Sequence, residues 1–455
     1  MTTLAPTVSE KLPPGPKIPP FIQLLNWITR PFDFMDDCRR KYGDCFTLRF
    51  SSDRPLVFFS HPKAIQTILT ADPEEFDTGS TNTILLPMLG NSSVALLDGE
   101  AHRRQRQLLM PPFHGARMRS YGELICQITE QITSQWSVGQ SFAVLPVTQE
   151  ITLQVIMQAV FGVEEGAIFD ELKPRLKEVL ASTASPLKST MLFIPQLQKD
   201  WGTWSPWGRF LQLRSRIDQL LYRLIDERRA QGDPNRSDIL ALLLSARDEA
   251  GQLMTDQELR DELITLLLVG HDTTASALAW AFYWIHKTPG VLNKILAELS
   301  STSENADPTA LTRLPYLTAV CQETLRIRPV APIPFSRVTR HAFRVMDHEL
   351  PPRTALLPAL YLTHRRPELF PDPDQFRPER FLERQFTPYE YLPFGGGDRI
   401  CIGRAFAQFE MKLALATILS RFRLKLAHQN PVKASRRGVT MAPGKNLRMV
   451  VVERV

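Results

Sequence analysis

Phe394-Gly395-Gly396-Gly397-Asp398-Arg399-Ile400-Cys401-Ile402-Gly403 is the stretch whose reading decides the fold. Three successive glycines let the backbone turn tightly and come close to a flat ligand, because no Cβ stands in the way. Cys401 follows, just ahead of a segment from about Ile402 to Arg421 with helical periodicity. Amides at a helix N-terminus favour a thiolate over a thiol, so the position predicts an ionised sulfur. Arg399 offers a fixed positive fork two residues earlier, and Gly403 removes a side chain where something planar would pack. The bland alternative is a glycine-rich turn with an incidental cysteine.

Phe394, Gly397, Arg399, Cys401 and Gly403 fill all five fixed positions of F-x-x-G-x-R-x-C-x-G. That pattern resembles the haem-binding signature of the cytochrome P-450 family. The resemblance implies a mainly α (α+β) fold, a large helical body with a smaller β-rich region. Haem b would sit between a long central helix and the cysteine loop, with Cys401 as axial ligand and Arg399 on a propionate. Glu323-Thr324-Leu325-Arg326 places two charges on one helix face, a weak signal alone, since the same pattern recurs at Glu100–Arg103. Pro378-Glu379-Arg380-Phe381 follows and is similar to the family's PERF segment. The resemblance then implies a buried Glu323–Arg326–Arg380 network that supports the loop behind the haem.

Leu263–Ile285 runs 23 residues with only His271 and Asp272 strongly polar, long enough to cross a bilayer. Polar groups fall at its middle, where insertion costs most, so a buried central helix is favoured. Thr255 and Glu258 form a capping box at its start, and Pro289 stops it. Val269-Gly270-His271-Asp272-Thr273-Thr274 within it is similar to the family's oxygen-binding segment. The resemblance implies that Thr273 and Asp272 pass protons inward and that Gly270 leaves room for a diatomic ligand. Val269 departs from the usual Ala or Gly and narrows the expected pocket. His102 and Arg106, i and i+4 on one helix face, are read as two cations for the propionates, with Arg337 as a third.

The 455 residues carry a net charge of +6, with 43% hydrophobic and 22% charged side chains, which excludes a disordered chain. Five scattered cysteines without a CxxC exclude a zinc cluster or disulfide scaffold and fit a reducing compartment. No signal peptide and no dividing linker are read. The expected organisation is a single haem domain over 1–455, with a Pro-rich extended lead-in at 1–20, no membrane anchor and no fused reductase. Helices are expected around Phe32–Tyr42, Tyr121–Trp136 and Ile217–Ala230, a hairpin at Cys45–Phe59, and a strand at Leu447–Val452. Twelve prolines between Pro329 and Pro393 predict loops and short strands there.

These readings converge on monooxygenation of a hydrophobic substrate, a long-chain fatty acid first and a terpenoid second. A haem-thiolate sensor or electron carrier without turnover is the alternative class. Leu86, Met88, Val269, Ile333, Phe335 and Met441 are the candidate pocket residues, with core packing as the rival for each. NAD(P)H would supply electrons through a separate ferredoxin and ferredoxin reductase. Five arginines and no acid between Ala101 and Gly122 offer a docking face for an acidic donor. No nucleic-acid module is present. A cytoplasmic monomer is expected, with peripheral membrane contact suggested by Trp201, Trp204 and Trp207.

Overall fold

The helix Asp256–Lys287 organises the molecule. Thr255 accepts from the Glu258 amide at 3.2 Å while the Glu258 carboxylate accepts from the Thr255 amide at 2.8 Å. That closes the capping box foreseen from sequence, and the helix ends at Thr288, one residue before Pro289. It packs against helices Val144–Phe161, Pro206–Gln231, Pro315–Ile327 and Arg404–Arg421. Both Val144–Phe161 and Asp256–Lys287 are long and apolar enough to span a membrane, yet both are mostly buried inside the protein. Their hydrophobicity is therefore spent on the core.

The computed structural model describes residues 12–51, 54–113, 117–162, 166–232, 236, 238–302 and 307–455. The first eleven residues of the Pro-rich lead-in thus lie outside the described residues. Residues 12–19 are non-helical, and a helix that was not foreseen, Pro20–Thr29, starts with proline at its first position. Proline is tolerated there because that amide has no intrahelical partner in any case. Pro31–Tyr42, ended by Gly43 at φ 84°, agrees with the expectation. So do Arg117–Thr133, Pro206–Gln231 and Arg404–Arg421 within a few residues, apart from the longer start at Pro206.

The smaller β-rich part joins the two ends of the chain. Cys45–Leu48 and Leu56–Phe59 form the expected antiparallel hairpin, and Leu56–Phe59 pairs in parallel with Ala355–Pro358. Arg337–Thr339 and Phe76–Asp77 complete a five-stranded sheet. Its apolar face buries Trp27, Phe46, Phe58 and Tyr361 in a second core, apart from the main helical one. Arg448–Arg454 lies between Ser141–Ala143 and Phe422–Leu426 in a three-stranded sheet.

Candidate functional site

Between Leu259 and Tyr283 every residue of the central helix is buried except Leu266, Val269, Gly270 and Thr273. Their spacing of three, four and seven puts all four on one face. Val269 is 46% exposed in the middle of a buried helix, while Leu266, against the main core, Gly270 and Thr273 are partly covered. Extra side-chain hydrogen bonds load the carbonyls of the same turn. Thr273 donates to Val269 O at 2.8 Å, Thr274 to Gly270 O at 3.2 Å and Thr152 to His271 O at 3.1 Å. Each such bond competes with the helix ladder and loosens the turn. A methyl group placed on Gly270 would meet only Ile156, at 3.5 Å, so core packing does not require the glycine.

Asp272 points to another side. Gln149 donates to its Oδ1 at 2.5 Å, and Arg437 approaches it at 3.4 Å. The two residues read as one acid–alcohol pair therefore face different surroundings, Thr273 the open face and Asp272 the packed one.

The cysteine loop is built by its glycines. Gly395 and Gly397 take φ of 71° and 67°, and a Cβ on Gly397 would strike Leu69 O at 2.6 Å. The Cys401 amide donates to Phe394 O at 3.0 Å and closes the loop. A methyl on Gly403 would meet no atom within 4 Å, so open space lies beside the cysteine. Cys401 has accessible surface although protein surrounds most of it. Burial raises its thiol above the ordinary value, and the Gly403 amide, Arg106 and Arg404 pull the other way without reversing it. The expected helix-terminal activation is thus present, but it is outweighed by desolvation.

Around this loop the expected cations gather in a changed state. His102 is buried, and desolvation together with Arg399 brings its pKa down to about 4. Burial thus disfavours its charged form, and Asp398 and Asp98 act the other way. Arg106 lies within electrostatic reach of Cys401 and Asp398. Arg399 pairs with Asp98 at 2.7 Å and with Asp398 at 3.3 Å. Arg337 reaches Asp398 at 2.5 Å. Sequence reasoning passed over both aspartates, because their role depends on which arginines the fold brings to them.

Behind the loop, Glu323 and Arg326 are fully buried and joined twice, at 2.6 and 2.8 Å. Arg380 donates to Glu323 at 3.2 Å and to Pro371 O at 3.0 Å. Arg326 also donates to the carbonyls of His364, Pro373 and Gln375. His364 continues the chain of bonds by accepting from the Leu392 amide at 3.0 Å, two residues before Phe394. By contrast Glu100 and Arg103, the second copy of the pattern, form an exposed pair.

The candidate pocket residues scatter. Val269 lies on the open face. Phe335 and Met88 are partly buried against the main core. Met441, 2% exposed, lies in the second core, and Ile333 packs against it. Leu86 borders an outer cleft of about 400 Å³ with Trp207 and Arg214. Apolar side chains look alike in a sequence whether they fill a core or line a hollow.

An open helix face, a cysteine in a glycine loop, Arg106, Arg337 and Arg399 around it and free space at Gly403 suit a planar, dianionic iron porphyrin. Sequence comparison agrees: the cytochrome P-450 profile matches residues 13–449. The chain belongs to the cytochrome P-450 family. It is 36% identical to cytochrome P-450 135B1 of Mycobacterium tuberculosis, over 98% of this chain and 92% of that protein. It is 33% identical to cytochrome P-450 138 of the same organism, covering 98% and 97%. Among solved structures, retinoic acid-bound cyanobacterial CYP120A1 superposes with a TM-score of 0.85 at 26% identity, covering 98% and 100%. The chain is accordingly a haem b-binding cytochrome P-450 monooxygenase. As the resemblance implies, Cys401 would hold the iron and Arg399, Arg337, Arg106 and His102 would hold the propionates of a bound haem.

Proposed function

We propose that this enzyme hydroxylates a long apolar substrate, a long-chain fatty acid before other classes. The observation that carries the reading is the open face of the central helix, where Leu266, Val269 and Gly270 are apolar and Thr273 alone brings a polar group. Such a surface takes a hydrocarbon chain and offers one hydrogen-bonding point near the reacting carbon. Retinoic acid in the cyanobacterial relative is both a carboxylic acid and an isoprenoid, so it supports the fatty acid and keeps a terpenoid substrate as the second reading.

Haem, when bound, supplies the iron chemistry that reduces O₂ and transfers oxygen to a C–H bond, with cysteinate ligation favouring O–O cleavage. The chain's own residues position and protonate. The Thr273 hydroxyl proton is engaged by Val269 O, which leaves the oxygen's lone pairs toward the open face. Rotation of that hydroxyl turns its proton to the open face, and Asp272, held by Gln149 and Arg437 on the packed side, would have to swing away from them to return a proton. Val269 narrows the space above the cofactor and selects slender chains. Phe394, Gly397 and Gly403 keep the cysteine loop flat and close.

Electrons come, in this reading, from NAD(P)H through a separate ferredoxin and its reductase in the cytoplasm, to a monomeric enzyme. The arginine face supports it only in part: Arg104 is tied to Asp248 and Glu258, and Arg103 to Glu100. Arg117 and Arg404 remain as candidates for steering an acidic donor. The test is a screen of fatty acids and terpenoids for spin-state shifts in the holoenzyme, followed by product analysis with a reconstituted ferredoxin system. Hydroxylated fatty acids are expected. Turnover confined to terpenoids would overturn the substrate, and binding without any turnover would favour a sensor.

A further inference from the structure

The outer cleft of about 400 Å³ lies on the far side of the central helix from Val269. Arg260, which borders it, is nine residues before Val269, about two and a half turns, so the two point to opposite sides. Three elements wall the cleft: the short helix Leu86–Leu89, one stripe of helix Pro206–Gln231 and the first turns of the central helix. Along the stripe the side chains change character at helical spacing. Trp207 and Leu211 are apolar, and Arg214, Asp218 and Tyr222 follow them. Leu86 and Pro87 add apolar surface from the short helix. Trp207, which the sequence groups with Trp201 and Trp204, is buried against Phe210 and belongs to this wall instead.

The charges of the cleft are satisfied by one another, with one exception. Arg260 is buried and donates to Asp218 Oδ1 at 2.8 Å, to Asp261 Oδ1 at 2.6 Å and to Leu89 O at 3.3 Å. Asp261 Oδ2 accepts from the Ser92 amide at 2.8 Å. Arg214 makes no hydrogen bond among the described residues. Its Nε is buried without a partner, and the nearest carboxylate oxygen, Asp218 Oδ2, stands 3.8 Å away. Burial and the neighbouring Arg260 hold its pKa below the ordinary arginine value, with Asp218 acting the other way. An arginine keeps its charge at neutral pH even so, and its planar fork matches a carboxylate with two parallel bonds. Asp218 beside it repels a second negative charge, which favours a monoanion over a phosphate ester.

We propose that this cleft is a second binding site, apart from the haem, for a monocarboxylic acid with an apolar body. The carboxylate sits on the free fork of Arg214, and the body lies against Trp207, Leu211 and Leu86. A hollow of this volume suits a small ligand with one polar end. The occupant touches three elements at once, so its binding stabilises the folded enzyme by mass action. The site is independent of which substrate the haem side oxidises.

The experiment is calorimetric titration of decanoate into the haem-loaded enzyme after clotrimazole has saturated the iron and filled the haem side. Saturable binding is expected, together with a rise in the midpoint of thermal unfolding. Decanol, the same body without the charge, should bind about tenfold more weakly or worse, and Arg214→Gln should weaken decanoate by the same factor. Leu86→Ser, at the apolar wall, should weaken it about fivefold. Arg209→Gln, on the same helix but outside the cleft, should leave it unchanged. The carbon monoxide spectrum of each variant reports that the fold is intact. No saturable binding with clotrimazole in place, equal affinity for acid and alcohol, binding indifferent to Arg214→Gln, or displacement by an equal concentration of inorganic phosphate would overturn the proposal.

Discussion

The two sides of the haem site are built in opposite ways. Behind the cysteine loop, Glu323, Arg326 and His364 are fully buried, and their charges and lone pairs are joined in one bonded chain up to Leu392. On the open face of the central helix, Val269 and Thr273 contact little, and the turn they occupy shares its carbonyls with side chains. The first side fixes where the sulfur stands. The second is left available for ligands. Rigidity is therefore placed where geometry must not change, and space where the substrate decides.

The sharpest way to break the contrast is Arg326→Ala. It strands the Glu323 carboxylate without its main partner in a dry interior, and removing one member of a buried pair costs about 3–5 kcal/mol. Haem retention and the urea midpoint should fall together; an unchanged midpoint would show that the network is dispensable. Acidification probes buried histidines on both sides, His364 behind the loop and His271 and His286 in the central helix. Burial holds the His364 pKa at about 3, and those of His271 and His286 at about 4, below the ordinary 6.5. The unfolded chain then binds more protons below pH 6.5, so stability is complete above that pH and declines toward pH 4. A loss of at least about 2 kcal/mol by pH 5 is expected in urea titrations.

On the open side, effects should appear in turnover rather than in folding. Thr273→Ala should divert electrons to peroxide, lowering product per NAD(P)H about tenfold, with stability changed by no more than about 0.5 kcal/mol. Unaltered coupling would remove Thr273 from the proton path. Val269→Ala should be the mildest, within about 0.5 kcal/mol in stability, yet it should admit bulkier substrates in a spin-state assay. If Val269→Ala unfolds the enzyme while Arg326→Ala does not, the comparison is inverted.

The same division explains what could be read from the sequence. The cysteine loop and the capped central helix were legible as local patterns with fixed spacing, whereas the Glu323–Arg326 pair, weak alone, was legible only through the family resemblance. The lowered pKa of His102 was not legible, since it depends on burial and on Arg399, nearly three hundred residues away. Asp98 and Asp398 escaped notice for the same reason. The packing of Met441 and Ile333 against the second core was hidden too, because apolar residues do not declare what they pack against. The first helix was hidden by its prolines, which begin it rather than prevent it.

The central claim is that Cys401 carries the iron. The carbon monoxide difference spectrum of the reduced holoenzyme tests it most directly, beside that of Cys401→Ala. The wild-type protein should show the long-wavelength Soret band of a thiolate-ligated carbonyl haem, and the variant should lose it. A band at the position of a histidine-ligated globin in the wild type, or one that survives in Cys401→Ala, would contradict the assignment.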